Sequence, residues 1–251
     1  MTPIIGSVIA ILAVSAISLL GVFTLSLKQD FLRRILFLLI SLAAGALLGD
    51  AFIHLIPEAF SEAHSLTVSL LVLAGILSFF ALEKFLHWHH HHGEEEFSPE
   101  HARIHPVGKL VIISDAVHNF VDGLAIGIAF LVGPEVGIAT AIAIALHEIP
   151  QEIGDFGLLV HAGFSRKEAL IVNFVSALTA FVGLGAALLV AAVGASLIPL
   201  IAAFTAGNFI YIALADIVPE LHKTKGAKKT LLQFGMIGVG IVSMVLLLQA
   251  S

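Results

Sequence analysis

The chain lacks cysteine altogether and carries few charged residues. Of its 251 residues, 12% are Asp, Glu, Lys or Arg and 59% are hydrophobic. The absence of cysteine excludes disulfide bonds and thiolate metal ligands, so a bound metal would be held by nitrogen and oxygen atoms. A typical soluble domain has about twice this share of charged residues. The composition therefore indicates an integral membrane protein.

Eight apolar stretches are long enough to cross a bilayer, whose core of about 30 Å needs a helix of about 20 residues. Each is predicted to be helical, because backbone groups in lipid must be satisfied within their own segment. The first lacks the basic n-region of a signal peptide and is counted as a span. The fold class is thus an all-α polytopic membrane protein with a single transmembrane domain, 1–251. The predicted spans are about 3–27, 34–59, 65–86, 108–132, 136–160, 168–193, 196–219 and 230–250.

The connections on one side of the predicted membrane domain contain no lysine or arginine. All twelve basic residues lie in or beside the connections of the other side. By the positive-inside rule that side is the cytoplasm, so both termini are predicted to lie outside and the protein to reside in the cell (inner) membrane. One cytoplasmic connection, about 87–107, is a His- and Glu-rich loop predicted to be disordered. It would either hold divalent metal loosely or serve as a plain polar linker.

Spans 2 and 7 contain similar sequences. AGALLGDAFIHLIPE at 44–58 matches AGNFIYIALADIVPE at 206–220 with a constant offset of 162, and Pro57 and Glu58 recur as Pro219 and Glu220. The charge pattern predicts that the two spans run in opposite directions. Such a pair indicates an inverted-topology repeat, in which a central site is exposed to either side in turn. The predicted arrangement is 3+2+3, with spans 4 and 5 between two three-helix repeats.

Spans 4 and 5 carry polar residues where the surrounding sequence is apolar. A charged side chain at the bilayer centre costs at least about 2.5 kcal/mol, so a cluster of them needs partners or a function. Helical spacing places residues four apart on one face. Imidazole, carboxylate and amide ligands suit zinc, iron(II) or manganese, and imidazole favours zinc. Interhelical hydrogen bonding alone does not account for so many ionisable groups. The residues of this pattern, which predict a metal site, are His118, Asn119, Asp122, His147, Glu148, Gln151 and Glu152, with Asp115 and Asp155 on neighbouring turns of the same helices.

HNFVDGLAIG in span 4 and HEIPQEIGDF in span 5 resemble the signatures of the ZIP family of divalent-metal transporters. The most similar subgroup carries HExPHExGD in its fifth helix, and GDAFIHLIPEAF and FIYIALADIVPE in spans 2 and 7 also resemble it. The resemblance implies an eight-helix homodimer that imports zinc into the cytoplasm, with iron(II), manganese or cadmium as other substrates. Alternating access and a binuclear centre between spans 4 and 5 are expected.

Motif matching with this family implies roles for single residues. His118, Asp122, His147 and Gln151 would form the primary metal site, Asn119 and Glu148 would contribute to the second, and Glu152 would be its neighbour. The chain departs from the subgroup at Gln151, where a second histidine is usual. An amide is a weaker ligand than an imidazole, so the departure affects the expected affinity and metal preference.

Polar residues at the ends of three spans predict a route for the metal. His54 and Glu58 lie toward the outer end of span 2 and are predicted to collect metal at the entrance. Toward the cytoplasmic end, the predicted exit residues are Asp155, His161, Asp216 and Glu220.

Two other functions fit parts of the pattern. HEIPQ is one residue away from HExxH, the zinc-protease motif, which suggests an intramembrane metalloprotease. However, the second histidine is replaced by Gln151, and no third-ligand motif follows. A membrane metal sensor, read out by the His-rich loop, would not explain the repeat. A transporter, and not an enzyme, is therefore the predicted function.

Overall fold

The structure is a computed structural model that describes residues 2–24, 28–93 and 106–249. Every regular element within these residues is a helix or a helical turn, which confirms the predicted all-α class. Seven helical segments of the described chain are long and apolar enough to cross a membrane. Span 5 is not among them, although its single helix of 28 residues is about 42 Å long. Its polar residues lower its hydropathy. The protein is a multi-pass membrane protein.

The eight predicted spans all correspond to helices of the structure. In the first half, the helices and helical turns are Pro3–Ser15, Ala16–Leu20 and Gly21–Thr24 (span 1); Gln29–Asp50, Ala51–Leu55 and Ile56–Glu62 (span 2); Ser65–Gly93 (span 3); and Pro106–Val132 (span 4). In the second half they are Pro134–His161 (span 5); Arg166–Ala177 and Ala180–Val193 (span 6); Ala195–Leu197, Ile198–Tyr211, Ile212–Ile217 and Val218–His222 (span 7); and Ala227–Gln249 (span 8).

The helix of span 3 is longer than predicted. It continues to Gly93, so residues 87–93 of the predicted His-rich loop belong to the helix and not to a loop. This stretch contains neither proline nor glycine before Gly93, and glycine is the residue that most often ends a helix. Residues 94–105, the remainder of that loop up to the start of span 4, lie outside the described residues.

Spans 2 and 7 are each interrupted by a short π-helical segment. The segments are Ala51–Leu55 and Ile212–Ile217, and each ends just before a proline, Pro57 or Pro219. In the first, the backbone N–H of Ile56 donates to the carbonyl of residue 51; in the second, Val218 donates to residue 213. Proline has no N–H for the carbonyl four residues earlier, and a wider turn re-pairs the backbone. The two segments lie at matching positions of the similar sequences in spans 2 and 7.

The helices pack in pairs that are brought together by small residues. Span 2 lies along span 8, span 3 along span 7, and span 4 along span 6, while spans 4 and 5 contact each other. Glycines allow the backbones to approach closely at these contacts. A Cβ atom on Gly45 would overlap the backbone at Ile237 in span 8, and one on Gly207 would overlap Val72 in span 3. The contact between spans 4 and 5 is the one that forms the polar site.

Candidate metal centre

Four polar side chains from spans 4 and 5 meet in the interior of the helix bundle. His118 and Asp122 lie one turn apart on span 4, and His147 and Glu148 are adjacent on span 5. Each of the four residues is at most 8% exposed. One ligand atom from each lies within 4.8 Å of those of the other three. The helical spacing predicted the pair on span 4, whereas the packing of the two spans brings His147 and Glu148 to that pair.

The distances within this group, called here the His–carboxylate cluster, are short and uniform. The Nε2 atoms of His118 and His147 are 3.1 Å apart. Nε2 of His118 lies 3.6 Å from Oδ2 of Asp122 and 3.4 Å from Oε1 of Glu148. Nε2 of His147 lies 3.4 Å and 3.5 Å from the same two oxygens. Each histidine nitrogen thus faces the other and the same two carboxylate oxygens.

This arrangement suits a divalent metal ion. Ligand nitrogen and oxygen atoms lie about 2.0–2.2 Å from zinc, so the edges of a tetrahedral site are about 3.3–3.6 Å. Both carboxylate oxygens of Asp122 and both of Glu148 are buried and accept no hydrogen bond within the described chain. Burying a carboxylate without a hydrogen-bond partner costs free energy, and binding a cation offsets that cost. The donor set contains nitrogen and oxygen atoms, as the absence of cysteine requires.

The orientation of His147 is fixed by the backbone of its own helix. Its Nδ1 lies 3.2 Å from the carbonyl oxygen of Ala143, one turn earlier. A proton on Nδ1 donates to that carbonyl, which leaves the Nε2 lone pair directed at the cluster. The ring of His118 also packs edge-on against the ring of Phe79 from span 3, with the centroids 5.8 Å apart. Both imidazoles are therefore held in place before a metal arrives.

A second polar group adjoins the cluster along the same helices. The side-chain amide of Asn119 donates to Oδ1 of Asp115 at 2.8 Å, and Ser176 of span 6 donates to the other carboxylate oxygen. Asn173 of span 6 donates to Oε2 of Glu152. Oδ1 of Asn119 and Oε1 of Glu152 are buried and have no hydrogen-bond partner in the described chain. These two oxygens remain able to accept a cation.

Comparisons with known proteins find that this sequence is similar to zinc transporters. A family model described as ZIP Zinc transporter matches residues 1–109 and 89–248. The chain belongs to the ZIP zinc transporter family. Family membership agrees with the predicted transporter, since the named relatives are transporters and not enzymes.

Three relatives illustrate the extent of the similarity. Zinc transporter ZIP13 of Pongo abelii is 37% identical over 227 residues, which cover 83% of this chain and 65% of the relative. Zinc transporter SLC39A7 of Mus musculus is 33% identical, covering 86% and 63%. Zinc transporter ZIP4 of Homo sapiens is 34% identical, covering 81% and 41%. The chain spans less than two thirds of the length of these relatives.

Gln151, where the chain differs from the subgroup that it resembles, lies one turn after His147 on span 5. Gln151 is half-buried and, with Pro150 and His147, lines a cavity of about 290 Å³. The cavity continues between spans 2, 5 and 7 as far as Glu220, and its other lining residues are Ile40, Ile212 and Ile217. Pro150 does not end the helix, which runs on to His161.

The predicted route residues have different environments. His54 is only 3% exposed, so it lies in the interior and not at a solvent-facing helix end. Glu58 and Asp155 are half-buried, and His161 is exposed. Glu220 is also exposed and pairs with Lys223. The side chain of Asp216 lies outside the described part of the structure.

Spans 2 and 5 form a further buried polar group that was not predicted from the sequence. Asp50 is fully buried; Thr140 donates to its Oδ2 at 2.7 Å, and Nδ1 of His54 lies 3.2 Å from its Oδ1. Asp50 and His54 are four residues apart on span 2, and that spacing could have identified the pair. The contact with Thr140 bridges 90 residues and has no signal in the sequence.

Proposed function

We propose that this ZIP family member transports zinc across the membrane toward the cytoplasm, with the His–carboxylate cluster as its substrate site. The observation that carries the proposal is the set of four buried ligand groups, whose carboxylates lack hydrogen-bond partners within the described chain. The relatives named as zinc transporters support zinc as the substrate. Iron(II), manganese and cadmium are the competing substrates to test, because nitrogen and oxygen ligands also accept them.

A second ion position next to the cluster is part of the proposal. Oε1 of Glu148 faces the two histidines, and its Oε2 is also buried and without a hydrogen-bond partner in the described residues. A carboxylate with two free oxygens is able to bridge two cations. Oδ1 of Asn119 and Oε1 of Glu152 supply further oxygen ligands on the same helices. In this arrangement the side chain of Gln151 would approach the ion at the primary position from the adjacent cavity.

The cavity of about 290 Å³ supports a release route on one side of the cluster. It begins at His147 and ends at Glu220, which is exposed at the end of span 7 that carries the basic residues. Asp155, His161 and Asp216 would assist at this end. On the opposite side, Glu58 and the buried pair of Asp50 and His54 would pass the ion inward from the entrance.

Alternating access through a 3+2+3 inverted repeat is the proposed mechanism. In such a repeat, spans 1, 2 and 3 correspond to spans 6, 7 and 8, and span 4 corresponds to span 5. The contact of spans 2 and 8 then corresponds to the contact of spans 7 and 3. Likewise, the contact of spans 4 and 6 corresponds to the contact of spans 5 and 1. The π-helical segments of spans 2 and 7 and their prolines also correspond. These correspondences support two repeats that rearrange around a central site.

Orientation and assembly complete the proposal. The positive-inside rule places the basic connections in the cytoplasm and both termini outside, in the cell (inner) membrane. Residues 1–251 would act as a single membrane domain within a homodimer. Cysteines introduced at exposed positions of the termini, labelled from either side of sealed vesicles, would test the orientation. Crosslinking in the membrane would test the dimer.

Zinc uptake into proteoliposomes tests the transport function. Purified protein is reconstituted around a trapped zinc-sensitive dye, and His118→Ala and Glu148→Ala are compared with the unchanged protein. We expect saturable zinc entry that both substitutions reduce at least about 100-fold, because each removes a buried ligand. His64→Ala and Glu135→Ala are matched controls, since they remove the same side chains from exposed positions outside the cluster. Zinc binding without entry would contradict transport and favour the sensor.

A further inference from the structure

A cationic groove lies where spans 2 and 8 begin, on the face that carries the basic residues. It has a volume of about 840 Å³. Four of its nine lining residues are cationic and one is acidic, which gives the lining a net charge of +3. The lining residues are Lys28, Asp30, Phe31, Arg33, Arg34, Phe37, Thr224, Lys229 and Leu232. Lys28, Arg33, Arg34 and Lys229 are exposed, and no ion pair within the described chain neutralises them.

Backbone groups add to the positive potential of this cationic groove. The helix of span 2 begins at Gln29, and Lys28, which precedes it, makes no side-chain capping hydrogen bond. The first amide N–H groups of a helix have no partner within the helix, and they attract anions. Arg33 and Arg34 follow within the next turns of the same helix. A phosphate group fits these donors, because guanidinium groups bind phosphate through two parallel hydrogen bonds.

A second groove adjoins the first. It has a volume of about 540 Å³ and shares Thr224 with the cationic groove. Its apolar lining residues are Val218, Leu221, Phe234 and Ile237, and its polar ones are His222, Thr224, Thr230 and Gln233. Two of its polar residues are already bonded within the protein, since Gln233 donates to the carbonyl of residue 221 and Thr230 to that of residue 226. Apart from His222 and Thr224, the lining of this groove therefore offers mainly hydrocarbon.

The two connected grooves match the two parts of a phospholipid. A phosphate headgroup would lie among the four cations, and an acyl chain would lie along the apolar lining between spans 7 and 8. Phe234 is 69% exposed, which leaves its ring available to such a chain. Inorganic phosphate would satisfy only the first groove. Basic pockets between helices on the cytoplasmic side are where anionic headgroups bind.

We propose that the cationic groove and its apolar extension form a binding site for one anionic phospholipid of the cytoplasmic leaflet. The lipid would tie the start of span 2 to the start of span 8, the two helices whose glycine-mediated contact is described above. The site is distinct from the His–carboxylate cluster, and the proposal does not depend on zinc transport.

Native mass spectrometry of the purified chain in detergent tests this proposal. Affinity is measured for dioleoylphosphatidylglycerol and for the zwitterionic dioleoylphosphatidylcholine, with thermal stability recorded in parallel. We expect a single tight phosphatidylglycerol and weak phosphatidylcholine binding. Arg33→Gln combined with Arg34→Gln should weaken phosphatidylglycerol binding about 30-fold, since each cation near an anionic membrane surface contributes on the order of fivefold. Lys229→Gln tests the other wall of the groove independently.

Arg166→Gln combined with Lys167→Gln is the matched control. It removes the same charge from the first turn of span 6, on the same face, and both residues are exposed outside the groove. This control should retain the affinity of the unchanged protein. Equal losses in both double variants, or equal binding of the two lipids, would overturn the proposal. Equal stabilisation by inorganic phosphate without lipid would show that the groove takes a free anion, and would also overturn it.

Discussion

The Nε2 atoms of His118 and His147 lie 3.1 Å apart, although the residues are 29 positions apart in the chain. Both face the same two carboxylate oxygens, so one ion would contact all four side chains. Two ring nitrogens at this distance, with carboxylates beside them, are suited to sharing a cation or a proton. The predictions below follow from this relationship and from the helix packing that creates it.

Removing either histidine should disable the cluster. We expect His118→Ala and His147→Ala each to weaken zinc binding on the order of 100-fold, measured by calorimetry on the purified protein. The double variant should lose much less than the product of the two single losses, because each single change already leaves an incomplete ligand set. Strictly multiplicative losses would mean that the two histidines bind independently and do not share an ion.

Zinc affinity should weaken as the pH falls. An imidazole binds metal only when its ring nitrogen is unprotonated, so protons compete with zinc at His118 and His147. Where one proton is displaced, the dissociation constant should rise about tenfold per pH unit on the acid side. Zinc titrations at a series of pH values would measure this slope. The exposed-site variant His64→Ala should show the same slope, and a flat profile would argue against imidazole ligands.

Replacing Gln151 by histidine should tighten zinc binding. Gln151 lies in the same cavity lining as His147, so an imidazole there is able to reach the ion from the cavity side. Imidazole is a stronger zinc ligand than an amide. We expect Gln151→His to increase the affinity by about tenfold, and Gln151→Asn to leave it nearly unchanged. A weaker affinity in the histidine variant would show that Gln151 does not reach the metal position.

The close contact of spans 4 and 6 should be sensitive to one added methyl group. A Cβ atom at Gly183 would collide with the backbone of Phe120 and Leu124, whereas one at Gly185 would meet no atom within 4 Å. We expect Gly183→Ala to destabilise the protein by about 1–3 kcal/mol, measured as a lower thermal midpoint. Gly185→Ala, on the same helix, should be neutral or stabilising by up to about 1 kcal/mol. Equal changes of stability in the two variants would show that spans 4 and 6 are not in close contact at Gly183.

Much of the fold was predictable from residue spacing. Apolar length alone located eight helices, because a bilayer imposes one length on every crossing segment. The predicted ends of the helices were less accurate. Span 3 continues to Gly93, beyond the predicted end at 86, because nothing in the histidine run interrupts a helix. The π-helical segments before Pro57 and Pro219 were not predicted, since they depend on how the backbone re-pairs around a missing N–H.

For the site, the sequence by itself determined the chemistry of each helix face. Spacing of four residues placed His118 with Asp122, and the absence of cysteine left only nitrogen and oxygen ligands. Only the tertiary structure decided which faces meet: His147 with His118, Asp50 with Thr140, and Gln151 toward a cavity. The physical reason is that periodicity fixes a residue's direction within its own helix. The rotation of each helix against its neighbours is fixed by contacts at glycines such as Gly183, which are distant in the chain.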